Sequence, residues 1–263
     1  MKRIFDSAIM FVALAFIAGS CVEIENELNP PETTGEMMDV ELRLNQPGAE
    51  TKSHFGEKNE ETGTYPVYWD AEGESVIVHE HVWSAEKTLN SSSSKNYTLS
   101  EDARLISFEG LQFEVNTDEE AQFGYSVTMP SSAVTRFFPN NQTNYVAGYI
   151  SLPKIQKPTA DGPDRNAAVL VGYMPVQQTQ QTVIDVDMKH IMAYAKMTIR
   201  NFDCGNEKPL VMEFRASKNI YANQFYYLYQ FDSHGTLQLE KNALLVDLSS
   251  LENKDGTLVT HFC

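Results

Sequence analysis

Basic residues are scarce in this chain of 263: 20 Lys and Arg stand against 36 Asp and Glu, a net charge of −16. No Lys/Arg cluster occurs, and affinity for phosphate backbones needs one, so the composition argues against nucleic acid as a partner. Cysteine is scarcer still, with three residues. Cys204 and Cys263 have nothing in the sequence to fix their separation, and no disulfide is assigned to them. No Gly-x-Ser-x-Gly, P-loop, dinucleotide fingerprint or HExxH segment occurs, and no two carboxylates form a recognisable acid/base pair. The sequence therefore offers no catalytic residue, no cofactor site and no expectation of an enzyme. Outside the start of the chain no long 3.6-residue period appears, nor any internal repeat of roughly 20 to 50 residues.

What is present is enough for a core: 42% of residues are hydrophobic and 11% aromatic. The chain opens like an export signal. Lys2 and Arg3 precede an apolar run over 8–17, far short of the roughly 20 residues that span a bilayer. The run ends in Ile17-Ala18-Gly19-Ser20-Cys21. Small residues before a cysteine resemble a bacterial lipobox, which makes Cys21 the lipid attachment residue of a mature protein. Ordinary secretion is the rival, since Ala18-Gly19-Ser20 also fits an A-x-A-like cleavage site. The acidic run after Cys21 resembles a signal that sends some Gram-negative lipoproteins to the outer face of the outer membrane; a solvated linker explains it equally.

The rest alternates in short segments. Residues 37–44 place Met38, Val40, Leu42 and Leu44 on one face and Asp39, Glu41 and Arg43 on the other, a half-buried strand. Further strands are expected over 65–69, 75–83, 123–129, 149–152, 167–173 and 182–186. Residues 105–108 and 111–115 read as a hairpin turning at Glu109-Gly110. Residues 84–100, rich in Ser and Asn, and 131–144 read as loops. The longest alternating run is 187–202, with Ile191, Ala193, Ala195, Met197 and Ile199 opposite Lys196, Thr198 and Arg200, expected as one strand crossing a domain. After 203 the pattern restarts over 210–214, 225–231, 236–239 and 244–248. Many short strands between turn clusters point to an all-β sandwich. The last 60 residues either complete the first domain or begin a second; a second, incomplete β-sandwich domain is expected, because such domains usually need about 100 residues. The expected division is 1–20 signal peptide, 21–36 linker, 37–202 N-terminal sandwich and 203–263 partial C-terminal domain.

Two clusters invite chemistry. His79-Glu80-His81 puts two imidazoles on one strand face, but a metal needs three or four ligands and no others are in pattern, so a surface strand is expected and no metal. Trp69 and Trp83, with Tyr65, Tyr68, Phe225, Tyr226, Tyr227 and Tyr229, are candidates for a sugar-stacking platform; aromatics at strand spacing are more often core. His190 reads as a hydrogen-bonded structural histidine.

Three stretches together resemble the fimbrillin family of pilin-like surface lipoproteins. Trp69-Asp70-Ala71-Glu72-Gly73-Glu74-Ser75-Val76 resembles that family's Trp-x-x-Gly-Asp/Glu-x-Ile/Val segment with one extra residue. Leu152-Pro153-Lys154-Ile155-Gln156 followed by Asp161-Gly162-Pro163-Asp164 resembles its Leu-Pro…Gln stretch and Asp-rich loop. Lys189-His190-Ile191-Met192-Ala193 resembles its Lys-His-Leu-Met-Ala. The resemblance implies transthyretin-like β-sandwich domains and a fimbrial subunit or accessory pilin with no catalysis. In that family a lipidated precursor loses its N-terminal strand to a protease that usually cuts after Arg, and a strand of another subunit fills the groove. Met38, Val40, Leu42 and Leu44 are then the strand-exchange residues and Arg43 the nearest processing arginine, with Lys52 the next basic residue. The implied partners are other pilin subunits and the outer membrane, the implied location is the cell surface and its fimbriae, and the implied role supports adhesion. The alternative is a surface sandwich that binds a host glycan or protein and never polymerises.

Overall fold

The structure is a computed structural model, and it describes residues 35–45, 54–55, 60–61, 67–84, 87–139, 146–192, 194–201, 211–218, 224–229, 243–251 and 256–262. The expected signal peptide, Cys21, Lys52, Cys204, Cys263 and the strand at 236–239 lie outside the described residues. In chain order the strands are β1 (Met37–Asn45), β2 (His54–Phe55), β3 (Val67–Tyr68), β4 (Val76–Trp83), β5 (Lys87–Ser94), β6 (Asn96–Leu99), β7 (Ile106–Glu114), β8 (Gln122–Met129), β9 (Val134–Pro139) and β10 (Val146–Ser151). They continue as β11 (Ile155–Gln156), β12 (Leu170–Gln177), β13 (Val183–Asp187), β14 (Lys189–His190), β15 (Ala195–Arg200), β16 (Val211–Arg215), β17 (Gln224–Tyr229), β18 (Ala243–Asp247) and β19 (Thr257–Phe262). One turn of 3-10 helix, Ser131–Ala133, is the helical element among the described residues. The expected all-β class stands.

Two sheets face each other. One runs β13-β1-β7-β6 and the other β14-β12-β8-β4-β5. Alternation explains the core between them. Val40, Leu42 and Leu44 of β1, Ile106, Phe108, Leu111 and Phe113 of β7, and Ile184 and Val186 of β13 point inward from the first sheet. Val76, Val78 and Val82 of β4 and Phe123, Tyr125, Val127 and Met129 of β8 meet them from the second. Phe113 and Tyr125 touch across the gap, ring centroids 6.1 Å apart. Trp69 belongs to this core too, 1% exposed, its indole Nε1 donating to Arg104 O at 3.3 Å.

The five-stranded sheet is buried on both faces. His79 and His81 of β4 and Ser126 and Thr128 of β8 lie on the face away from the first core, and all are buried. A second core gathers Ala133, Ile150, Leu152, Val169 and Val171 with Leu244, Val246, Leu248, Leu251, Leu258 and Phe262. β12 serves both cores by alternation: Leu170 packs in the first and Met174 against it, while Val171 packs in the second and Tyr173 against it. Strands on either side of residue 202 pair with one another, β17 with β10, β18 with β11 and β19 with β15.

Four expectations change. The run 187–202 is not one strand but the end of β13, then β14 and β15, each in a different sheet. The chain changes partner twice: Met188 N donates to Asn45 O beside β1, and Ile191 N donates to Val169 O beside β12. Only β15 keeps the expected alternation, with Met197 and Ile199 half-buried against the second core; Ala193 lies outside the described residues. The expected hairpin at Glu109-Gly110 is a bulge inside one strand. Val40 pairs with Leu111 and Leu42 with Phe108, so two residues of β7 oppose Glu41 alone, and Gly110 takes φ 74°. The Ser/Asn stretch read as a loop forms β5 and β6. Its hydroxyls do what apolar side chains do not: Ser92 Oγ accepts from Gln112 N at 3.0 Å and Ser94 Oγ donates to Glu109 O, tying β5 to the bulge of β7. The expected loop over 131–144 contains β9, which pairs with β10.

Candidate functional site

β1 begins the described chain and ends inside a sheet. Met37–Leu44 pairs antiparallel with β7, and Glu41–Asn45 pairs parallel with β13. Its first half therefore has a ladder on one side and its second half on both. Its inward row is apolar: Leu42 and Leu44 are fully buried, Val40 nearly so, and Met38 packs at the margin of the core. Burying each of the three inner side chains contributes about 1.5–3 kcal/mol, so β1 does not leave unaided.

The outer face of β1 is polar and solvated. Arg43 Nε donates to Glu41 Oε1 at 2.9 Å, and Gln112 Nε2 donates to Asp39 Oδ1 at 2.8 Å. The ion pair lowers the Glu41 carboxyl, first through the hydrogen bond, in a fully solvated setting where such pairs contribute little. Arg43 sits mid-strand, opposite Ser107 on one side and Asp185 on the other.

A polar network lies under the end of the site where β1 begins, a feature the sequence reading missed. Glu80 is fully buried, on the inner face of β4. Its Oε1 accepts from Gln180 Nε2 at 2.9 Å and from the Tyr125 hydroxyl at 3.2 Å; its Oε2 accepts from Asn90 Nδ2 at 3.0 Å. Burial is the largest influence on this carboxyl and raises it, against the lowering effect of those bonds. Gln180 also donates to Glu114 O at 2.8 Å and accepts from Asn116 N at 3.1 Å. Gln181 N donates to the Tyr125 hydroxyl at 2.8 Å. Burial pushes that hydroxyl up. The one sequence signal was a lone Glu among valines in a strand, which marks a carboxylate that has to find donors.

At the far end, β13 and Met188 lie against Gly172 of β12. A Cβ there meets the Val186 side chain and the Met188 sulfur, so only glycine admits the crossing.

The remaining candidates are structural in setting. The surface strand expected at 79–81 is instead buried, with His79 and His81 on the face of β4 opposite Glu80. Burial pulls His79 down to about 4 and His81 well below 6.5. His81 Nε2 and Ser126 Oγ are hydrogen-bonded at 2.9 Å. Among the described residues no three His, Cys, Asp or Glu side chains gather as a metal site. Trp69 is core rather than platform. Trp83 is half-buried and covers Gly124, where a Cβ would stand 2.7 Å from its ring. The side chains of 65, 68 and 225–229 lie outside the described residues. His190 bonds the Tyr194 hydroxyl and meets its ring edge-on, centroids 4.9 Å apart.

No protein-family model matches the chain, and no curated protein matches its sequence. Solved structures that resemble it include a fimbrial assembly protein and a fimbrial anchor protein. A fimbrial assembly protein from Parabacteroides distasonis ATCC 8503 is 13% identical, covers 86% of this chain and 76% of its own, and superposes with a TM-score of 0.35. The fimbrial anchor protein Mfa2 from Porphyromonas gingivalis is 11% identical, covers 85% of this chain and 72% of its own, with a TM-score of 0.35.

Proposed function

We propose that the chain is a non-enzymatic fimbrial subunit or accessory pilin, anchored to the outer membrane through Cys21 and joined to other pilin subunits by exchange of β1. The position of β1 is the observation that carries this reading. It is the first described strand, yet it lies inside a sheet and fills the core with Val40, Leu42 and Leu44. Its departure leaves ladder groups of β7 and β13 facing each other across an apolar floor. Strand addition supplies both needs of that gap: backbone hydrogen bonds give affinity, and pockets for alternate side chains give selectivity. The motif order from Trp69 to Ala193 supports the same family reading.

Processing at Arg43 comes after strand release in this reading, not before it. A protease binds an extended, unpaired segment, and Arg43 is laddered on both sides. The first cut then belongs outside β1, and Lys52 is the next basic residue along the sequence.

The test uses the full chain with a specific protease site placed at 46–53. After cutting and release of β1, mixing with partner pilin gives detergent-resistant ladders. A cut, β1-free chain that stays monomeric overturns the reading. For the anchor, radioactive palmitate labels the wild type and not Cys21→Ala; an unlabelled wild type removes the lipid from the proposal.

A further inference from the structure

β7 and β13 never touch as a ladder; β1 separates them by two strand spacings, about 9.5 Å. β13 is the edge of its sheet, and β1 is its ladder partner among the described residues. Removing β1 therefore takes away the pairing that holds β13 at that distance. Left alone, an edge strand with apolar Ile184 and Val186 either collapses onto β7 or peels away. Something other than the ladder has to hold the width.

The residue placed to do so is Gln180. It lies just before β13, and its side chain makes three hydrogen bonds that bypass β1. Its Nε2 donates to Glu114 O and its Oε1 accepts from Asn116 N, both at the end of β7 that pairs with Met37. Its Nε2 also reaches Glu80 Oε1 in the facing sheet. Gln180 thus joins the start of β13, the end of β7 and β4, beneath the half of β1 that β13 does not pair. Glu80 is itself fixed by Asn90 of β5 and Tyr125 of β8, and Tyr125 accepts from Gln181 N. None of these bonds involves a group of β1. The opposite end of β13 has its own anchor in Val186 and Met188 against Gly172.

We infer that Gln180 is a positioning residue that keeps the gap between β7 and β13 one strand wide after β1 has gone, so that the chain can receive an incoming strand. This rests on the strand-exchange reading, and the experiment separates the two.

The full chain, cut at 46–53 and stripped of β1, is titrated with a fluorescent peptide of residues 36–46, and hydrogen exchange is followed at 183–187. The wild type takes the peptide back and keeps 183–187 protected. Gln180→Ala binds the peptide about tenfold more weakly, the effect of one part-buried hydrogen bond to a charged group. It also loses protection at 183–187 while β4 and β8 stay protected. Gln177→Ala, which removes an exposed amide contact to Pro175 O away from β1, binds like wild type. Gln180→Asn, one methylene shorter and still polar, replaces Gln180→Ala if that variant fails to fold. A Gln180 variant that binds as tightly as wild type overturns the inference, and so does a wild type that cannot take the peptide back. A wild type that binds peptide but never forms ladders sinks the assembly reading and leaves the brace standing.

Discussion

Gly172 leaves no room for a side chain beneath Val186: a Cβ added to it overlaps the Val186 methyl. The crossing brings β13 down onto β12 and closes one end of the space that β1 fills. Gly172→Ala should cost about 1–3 kcal/mol, the usual range for overpacking a filled core. Urea melts measure it. A loss below half that range would mean β13 shifts freely, and the crossing is not a fixed point.

The two faces of β1 should respond very differently to truncation. Leu42→Ala empties a fully buried site and should cost about 2–5 kcal/mol. Arg43→Ala breaks a solvated pair with Glu41 and should melt like wild type. Equal effects in denaturant melts would show that β1 is not seated as described.

Arginine-specific protease should leave the folded precursor uncut at Arg43, because the bond is laddered to Ser107 and Asp185. Mass spectrometry of limited digests reads this directly. A fragment beginning at Leu44 from native protein would reverse the order of release and cleavage.

Acid should weaken the fold through its buried histidines. His79 is neutral in the fold, pulled down to about 4, while the unfolded chain takes up its proton near 6.5. Its contribution is complete above pH 6.5 and is lost as pH falls toward 4. Glu80 runs the other way: its raised carboxyl holds a proton longer in the fold, which favours the fold as pH falls toward 4.5. Comparing wild type with His79→Gln removes the Glu80 effect by subtraction. Between pH 7 and pH 5 the wild type should lose about 2 kcal/mol more than the variant. Equal losses in urea melts would place His79 in contact with water.

Gly110 turns the bulge of β7 with φ 74°. Gly110→Ala should cost about 1–2 kcal/mol, the penalty of a left-handed backbone for a residue with a Cβ. An unchanged melting temperature would mean the bulge relaxes into regular ladder.

The β class and strands such as β1 were legible because their burial is one-sided. In β1 every second residue is apolar, and period two is what a half-buried strand writes into a sequence. The same rule misled at 187–202, where alternation continues across two changes of partner: periodicity reports facing, not which sheet is faced. Ser92 and Ser94 were illegible as strand because the hydroxyl bonds that tie them to β7 reach a backbone 15 or more residues away. The Gln180 brace was hidden for a related reason. Its partners, Glu80, Glu114 and Asn116, are 64 to 100 residues distant, and nothing local in a Gln-Thr-Gln-Gln run distinguishes one amide from the next.

β12 faces two cores at once, and the residues of those cores interleave along the chain, from Val40 to Met188 in one and from Ala133 to Phe262 in the other. No single breakpoint separates them. Whichever fragment retains β12, its counterpart is left with an apolar wall open to water and to other chains. Shuffling and truncation therefore have to treat the two cores as one heritable module, and a recombinant joined anywhere between them should be recovered as aggregate rather than as half a protein.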